Sequence, residues 1–187
     1  MTRAEAAYVI DVEDPRQVAG FADAIFVGTV VEQVATTTRI AIPETQFTVD
    51  VSEVLAGEVA DTVVVNQQGG VDPSTGETVL LEEDPLIQVG RTYLLATRYN
   101  AELDFYTLVP QTGHEELPAS NGGNNRQAEP DAVTQMREAI ANAIPYDEPR
   151  PRVTAPQETP QESITTTVSE PTEESSTGAS TPSVPPR

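Results

Sequence analysis

The run Gln46–Leu55, "QFTVDVSEVL", narrows the possible folds more than any other part of this chain. Phe47, Val49 and Val51 alternate with Thr48, Asp50 and Ser52, and a period of two lines one face of a strand with apolar groups and the other with polar ones. The pattern predicts a strand with one buried face. The alternation slips where Val54 follows Glu53, and a β-bulge near Ser52-Glu53 accounts for the slip. Gly57 closes the strand.

Other runs of similar length flank it. "AIFVGTVVEQV" (Ala24–Val34) is apolar on both faces at its start, which predicts a central strand covered on both sides, by a barrel interior and by the helix before it. Gly28 in its middle fits a sharp coil or a close backbone approach. "DTVVVNQQ" (Asp61–Gln68) reads as a third strand ended by Gly69-Gly70, and "VDPSTGE" (Val71–Glu77) as a turn cluster. "TVLLEED" (Thr78–Asp84) is either a short strand or a loop. "RTYLLATRY" (Arg91–Tyr99) and "FYTLVP" (Phe105–Pro110) read as two strands of a hairpin joined by "NAELD".

Helical signals bracket these strands. Asp14-Pro15 is a helix start, with a carboxylate at the N-cap and proline in the first turn. Val18, Phe21 and Ala22 then give one apolar face, Gly20 keeps the helix short, and Asp23 marks the exit into the first strand with no loop between. "EPDAVTQMREAIANAI" (Glu129–Ile144) is an amphipathic helix with Val133, Met136, Ile140 and Ile144 on one face. "SNGGNNRQ" (Ser120–Gln127) is a flexible linker. Five or six short strands with a bulge and a mid-strand glycine predict a mainly β chain: a small OB-fold-like barrel with a short N-terminal and a C-terminal helix.

The expected divisions are an N-terminal segment (1–13), the barrel with its helices (14–144) and a tail (145–187). In the tail no aromatic follows Tyr146, and the aliphatics larger than Ala are Val153, Ile164, Val168 and Val184. Such a Pro-, Ser-, Thr- and Glu-rich stretch cannot offset the entropy of ordering itself, so disorder is expected. It serves as a spacer, an O-glycosylated stalk or an inert tail.

The chain carries 30 acidic and 10 basic residues, a net charge of -20. From Tyr146 onward lie 7 acids and 3 arginines, so -16 belongs to the folded part. That field repels nucleic-acid phosphate and anionic lipid, so no nucleic-acid partner is expected, whereas a cationic protein partner, calcium or high salt is tolerated. Every basic residue is Arg; no lysine is present for a Schiff base, a phosphate loop or a general base. The chain has no Cys, which removes disulfides, thiolate metal sites and thiol nucleophiles. No apolar run reaches the length of a membrane span. Met1 is not followed by a signal-peptide core. An extracellular or cell-surface setting is expected if a leader precedes Met1, and a cytoplasmic one otherwise. A monomer is expected.

Four segments invite a chemical reading. His114, the single histidine, stands in "QTGHEELP" beside Glu115 and Glu116. One histidine with adjacent carboxylates lacks the spaced ligands of a zinc site, so a surface-loop histidine is the expectation. "LEEDP" (Leu81–Pro85) lacks calcium-loop spacing and reads as a solvated loop. "QQGGVDPSTGE" (Gln67–Glu77) has no lysine and opens no helix, so it is a turn and no phosphate cradle. "TTTRIAIPE" (Thr36–Glu44) reads as a hairpin connection, with a rim binding loop as the sharper alternative. No catalytic, cofactor-binding or metal-ligating residue is assigned. The expected function is a non-enzymatic binding or scaffolding module; an intracellular acidic accessory protein and a carboxylate-dependent hydrolase are the alternatives.

Taken together, "FADAIFVGTVVEQV" (Phe21–Val34), "TQFTVDVSEVLAG" (Thr45–Gly57), "ADTVVVNQQGG" (Ala60–Gly70) and "LIQVGRTYLLATRY" (Leu86–Tyr99) resemble the netrin-like, tissue-inhibitor-of-metalloproteinases-like OB fold, especially its bacterial members of unknown function. The resemblance covers about Asp14–Pro110 and implies an OB barrel. The animal inhibitors chelate a protease zinc through an N-terminal cysteine held by disulfides. This chain has no cysteine, so no inhibitory residue carries over.

Overall fold

The structure, a computed structural model, describes residues 2–4, 9–38, 42–82, 84–118 and 130–147. The elements in chain order are β1 (Thr2–Ala4), α1 (Pro15–Phe21), β2 (Ala24–Thr38), β3 (Pro43–Ala56), β4 (Thr62–Val71), β5 (Thr78–Leu81), β6 (Thr92–Asn100), β7 (Phe105–Leu108), β8 (His114–Glu116) and α2 (Asp131–Ala141).

Antiparallel pairing runs β4-β3-β2-β6-β7, and β7 returns to pair parallel with β4 through Val65↔Tyr106 and Asn66↔Thr107. The ring of five strands closes, and this order, with one parallel seam, defines an OB-fold-like barrel. Three short strands lie outside the ring. β5 and β1 extend the β4 edge, and β8 pairs with β6 at Tyr93–Leu95, beyond the point where β7 leaves it.

Curvature comes from bulges. The β2–β3 ladder shifts register four times, and one shift lies where Val27 pairs Glu53 and Gly28 pairs Val51, leaving Ser52 as the extra residue. The Ser52 hydroxyl donates to the Val27 carbonyl at 3.2 Å. The bulge read from the broken alternation is present. Gly28 is also explained: a Cβ there would stand 2.5 Å from Val49 Cγ1 and 3.0 Å from the Asp50 carbonyl oxygen.

Two cores share the β2–β6 sheet. Phe26, Val30, Phe47, Val49, Val65, Leu95 and Leu108 fill the barrel. On the outer face, Ile25, Val27, Leu94 and Ala96 pack under Val18 of α1 and Val133, Met136 and Ala139 of α2. The doubly apolar start of β2 therefore has the two covers expected of it, with α2 added to α1. The N-cap is as read: the Asp14 carboxylate accepts from the Arg16 amide at 3.0 Å. Ala22, the C-cap, and Asp23 make the helix-to-strand join; Asp23 carries its bonds. Its amide donates to the Thr97 carbonyl at 2.8 Å, and its carboxylate accepts from the Tyr99 amide at 2.9 Å and from Arg98 Nε at 3.0 Å.

Several expectations need correction. β4 does not stop at Gly69-Gly70 but runs through both to Val71. Their φ values of +118° and +144° let the strand bend from β3 onto β5, and Gly70 lies too close to Thr45 and Thr36 for any side chain. Thr78–Leu81 is a strand. α2 ends before Ile144, which is exposed; the third inward position is Ala139, with Ile140 packed at the margin. The chain past α2 stays on α1: the Tyr146 amide donates to the Gly20 carbonyl at 3.3 Å, and its ring meets Phe21 edge-on at 5.0 Å. The linker expected at 120–127 and the tail from 148 lie outside the described residues. Among the described residues, no helix is long and apolar enough to cross a membrane.

Candidate functional site

Three of the four segments singled out in the sequence meet at one end of the barrel. His114 opens β8 opposite Leu95, so its side chain points with Tyr93 and Leu95 toward the interior, and its ring meets Tyr93 edge-on at 6.0 Å. Asp84 is 8% exposed and sets Oδ1 3.7 Å from His114 Nε2. Neither group is the surface-loop residue expected of it. The reason is tertiary: the segment after β5 folds back across the barrel end. Gln67 on β4 pins it there, donating from Nε2 to the Pro85 carbonyl at 3.0 Å and accepting at Oε1 from the Ile87 amide at 2.9 Å. The Gln111 amide donates to Asp84 Oδ2 at 3.2 Å.

Burial dominates the titration of both groups. It pushes the Asp84 carboxyl above its ordinary range, opposed by the nearby imidazole and by the Gln111 amide, and pushes His114 below its ordinary value, opposed by Asp84. His114 Nδ1 has no hydrogen-bond partner. The space beside Asp84, between Gln67, Leu81, Leu108 and Pro110, does not admit a water molecule. The pair ties the covering segment to β8. Glu115 and Glu116 are exposed, and Glu116 pairs with Arg91 at 3.0 Å. Among the described residues no group of three or more His, Asp and Glu converges as metal ligands would.

The Asp72–Glu77 stretch is a tight turn. Asp72 accepts from the Ser74 amide at 2.7 Å and from the Ser74 hydroxyl at 2.6 Å, which hold its carboxyl below the usual range. The β2–β3 hairpin carries its ladder to Thr38↔Pro43; the tip, residues 39–41, lies outside the described residues.

The helices cover β2 and β6, while among the described residues no helix lies over the outer face of β3 and β4. Gln46, Thr48, Asp50, Thr62 and Val64 face outward there, beside Glu32 of β2, while Asn66 on the same face is buried. Asp50 accepts from the Thr62 hydroxyl at 2.9 Å, and the Thr48 hydroxyl donates to Glu32 at 3.4 Å. From Ala24 to Val71 the sequence holds six acidic residues and one basic one, Arg39. The carboxylate of Glu53, at the margin, is bonded to Arg137 of α2.

This face runs into a cleft of about 390 Å³ where the turn after β3 meets the β6–β7 hairpin, lined by Thr48, Thr62, Val64, Tyr99, Asp104 and Tyr106 among others. No residue of this cleft was picked out in the sequence. The signal was present: once "NAELD" is taken as a hairpin, its register sets Tyr99 opposite Tyr106. A second depression of about 370 Å³ lies between Val9, Ile10, Phe21 and Val109.

No protein-family model matches the chain, and no curated protein matches it. Among solved structures it is similar to the crystal structure of yeast Stn1 and Ten1, at 11% identity, with 78% of this chain and 76% of that chain covered and a TM-score of 0.34. The OB-fold-like assignment rests on the strand order and the β4–β7 seam described above.

Proposed function

We propose that this chain is a non-enzymatic binding module of the netrin-like branch of the OB fold, and that it takes a cationic protein surface on the uncovered face of β3 and β4. The observation that carries the proposal is the character of that face. OB folds bind polymers across the corresponding strands, and here Asp50 of β3 and the adjoining Glu32 of β2 stand among threonines, with no basic residue on β3 or β4. A phosphate backbone is repelled by such a surface and a basic peptide attracted. The netrin-like reading is supported by where the resembling segments fall: on the α1–β2 join, β3, β4 and β6. A setting at or outside the cell surface belongs to the same proposal and rests on the composition of residues 145–187; it falls if the native chain fractionates with the cytoplasm.

The test uses the full chain against a penta-lysine peptide and a single-stranded oligonucleotide over a salt series. The peptide is expected to bind in dilute buffer and to be released by sodium chloride, and the oligonucleotide to stay free. Glu32→Gln with Asp50→Asn should weaken the peptide, whereas Glu102→Gln with Glu115→Gln, an equal change in net charge elsewhere, should not. Equal loss in the two double variants means that the peptide reads overall charge and the face is no site. Tight oligonucleotide binding reverses the proposal.

A further inference from the structure

Tyr99 and Tyr106 stand opposite each other on β6 and β7, with ring centroids 4.9 Å apart and planes tilted by 42°. Both hydroxyls are anchored. That of Tyr99 donates to Asp104 Oδ1 at 2.7 Å, and that of Tyr106 donates to the Glu58 carbonyl at 3.0 Å. Phe26 backs Tyr106 edge-on at 5.9 Å, so the aromatic ladder runs from the barrel core to the surface. Tyr99 remains 43% exposed. Rings fixed at both ends need no ordering when a ligand arrives, which removes a cost of binding.

The rings form one wall of the 390 Å³ cleft, Asp104 lines it, and no basic residue does. Asp50 supports it from outside through Thr62. The negative surroundings also act on the hydroxyls, both pushed above the ordinary tyrosine value: at Tyr99 chiefly by the bond to Asp104, at Tyr106 chiefly by burial, with Asp104 and Glu58 adding to it. Aromatic faces beside a carboxylate attract a cation, and a planar guanidinium satisfies both at once, stacking on a ring while its N–H fork meets the carboxylate.

We propose that the Tyr99–Tyr106–Asp104 cleft receives an arginine side chain of a cationic partner. The inference rests on the reading of the β3–β4 face given above and names the residue type that anchors the partner. Asp104 sits at φ +52°, a left-handed conformation that asparagine also adopts readily. Asp104→Asn therefore removes the charge and keeps the turn.

The experiment is a nuclear magnetic resonance titration of the full chain with acetyl-Gly-Arg-Gly-amide. The ring resonances of Tyr99 and Tyr106 are expected to move and those of Tyr93 and Tyr146 to stay. Tyr99→Leu and Asp104→Asn should each weaken binding by about 2- to 5-fold, and the isosteric peptide with citrulline in place of arginine should not bind. Stationary Tyr99 and Tyr106 resonances, or unchanged affinity in both variants, overturn the proposal. The two readings fail separately. If the penta-lysine peptide is held by Glu32 and Asp50 but the arginine peptide leaves the rings unmoved, the cleft is refuted and the face stands. If the arginine peptide binds the rings while the lysine peptide ignores Glu32 and Asp50, the face is refuted and the cleft stands.

Discussion

β2 and β3 are hydrogen-bonded neighbours of almost equal length, yet they live in different surroundings. At the start of β2, Phe26 enters the barrel and Ile25 and Val27 enter the helical layer, so successive residues are buried. On β3, Phe47 and Val49 enter the barrel while Thr48 and Asp50 face water. The backbone geometry is the same; what differs is the cover. Among the described residues, the two helices reach one side of the barrel and do not extend over the other. A strand covered twice contributes stability through both faces. A strand covered once can vary its outer residues freely, and there the carboxylates and the tyrosine cleft are found.

The largest effect expected from this contrast is in a pair of substitutions. Ile25→Asp sets an unpaired carboxylate in the helical layer at a fully buried position and should cost several kcal/mol, enough to unfold the domain. Thr48→Asp adds the same group to the open face beside Glu32 and should cost less than about 1 kcal/mol, mainly by like-charge repulsion. Urea denaturation measures both. Comparable costs would erase the distinction between the two faces.

Next in size is Gly28→Ala. The methyl meets Val49 and the Asp50 carbonyl, so the two strands must part, at a cost of about 1–3 kcal/mol. A neutral result means that β2 and β3 can separate there without loss. Asp14→Ala removes the cap of α1 and should cost about 1 kcal/mol, through the helical layer alone. Hydrogen exchange then sharpens the comparison. Amides of α1 and α2 should lose protection before those of β3 and β4, and uniform loss would mean that the layer and the barrel open together.

The smallest effect concerns the barrel end. Burial holds His114 below its unfolded value, so its neutral form stabilises the fold. That contribution is present above the unfolded pKa, about 6.5, and is lost as pH falls through that region toward the lower folded value. Asp84 acts with the opposite sign: its raised folded pKa gives a contribution present below the unfolded value and lost as pH rises through the folded one. In melts from pH 7.5 down to 5, the stability of the wild type relative to His114→Gln should therefore decline. A difference that stays constant or grows on acidification would mean that His114 is not held neutral.

Much of the barrel was legible because its information is local. Alternation at Phe47–Val51, the slip at Ser52, the Asp14-Pro15 cap and the hairpin between Tyr99 and Phe105 each follow from a few adjacent residues and the chain's sterics. β1 and β8 were not legible. Three-residue strands carry no period, and they exist only because an existing edge offers them partners. The same holds for Gly69-Gly70, a plausible stop in isolation and a bend once β5 is there to receive the strand.

What the sequence alone determined is the class of fold, the acidic surface and the absence of thiol and lysine chemistry, since composition and periodicity are properties of the chain itself. Only the tertiary structure decided that Asp84 and His114, 30 positions apart and each titratable, would lie together out of water. It also decided that Tyr99, Tyr106 and Asp104 would share a cleft with the β3–β4 face. Burial and convergence depend on which segments cross the barrel end and where the β4–β7 seam closes, and long-range packing sets both.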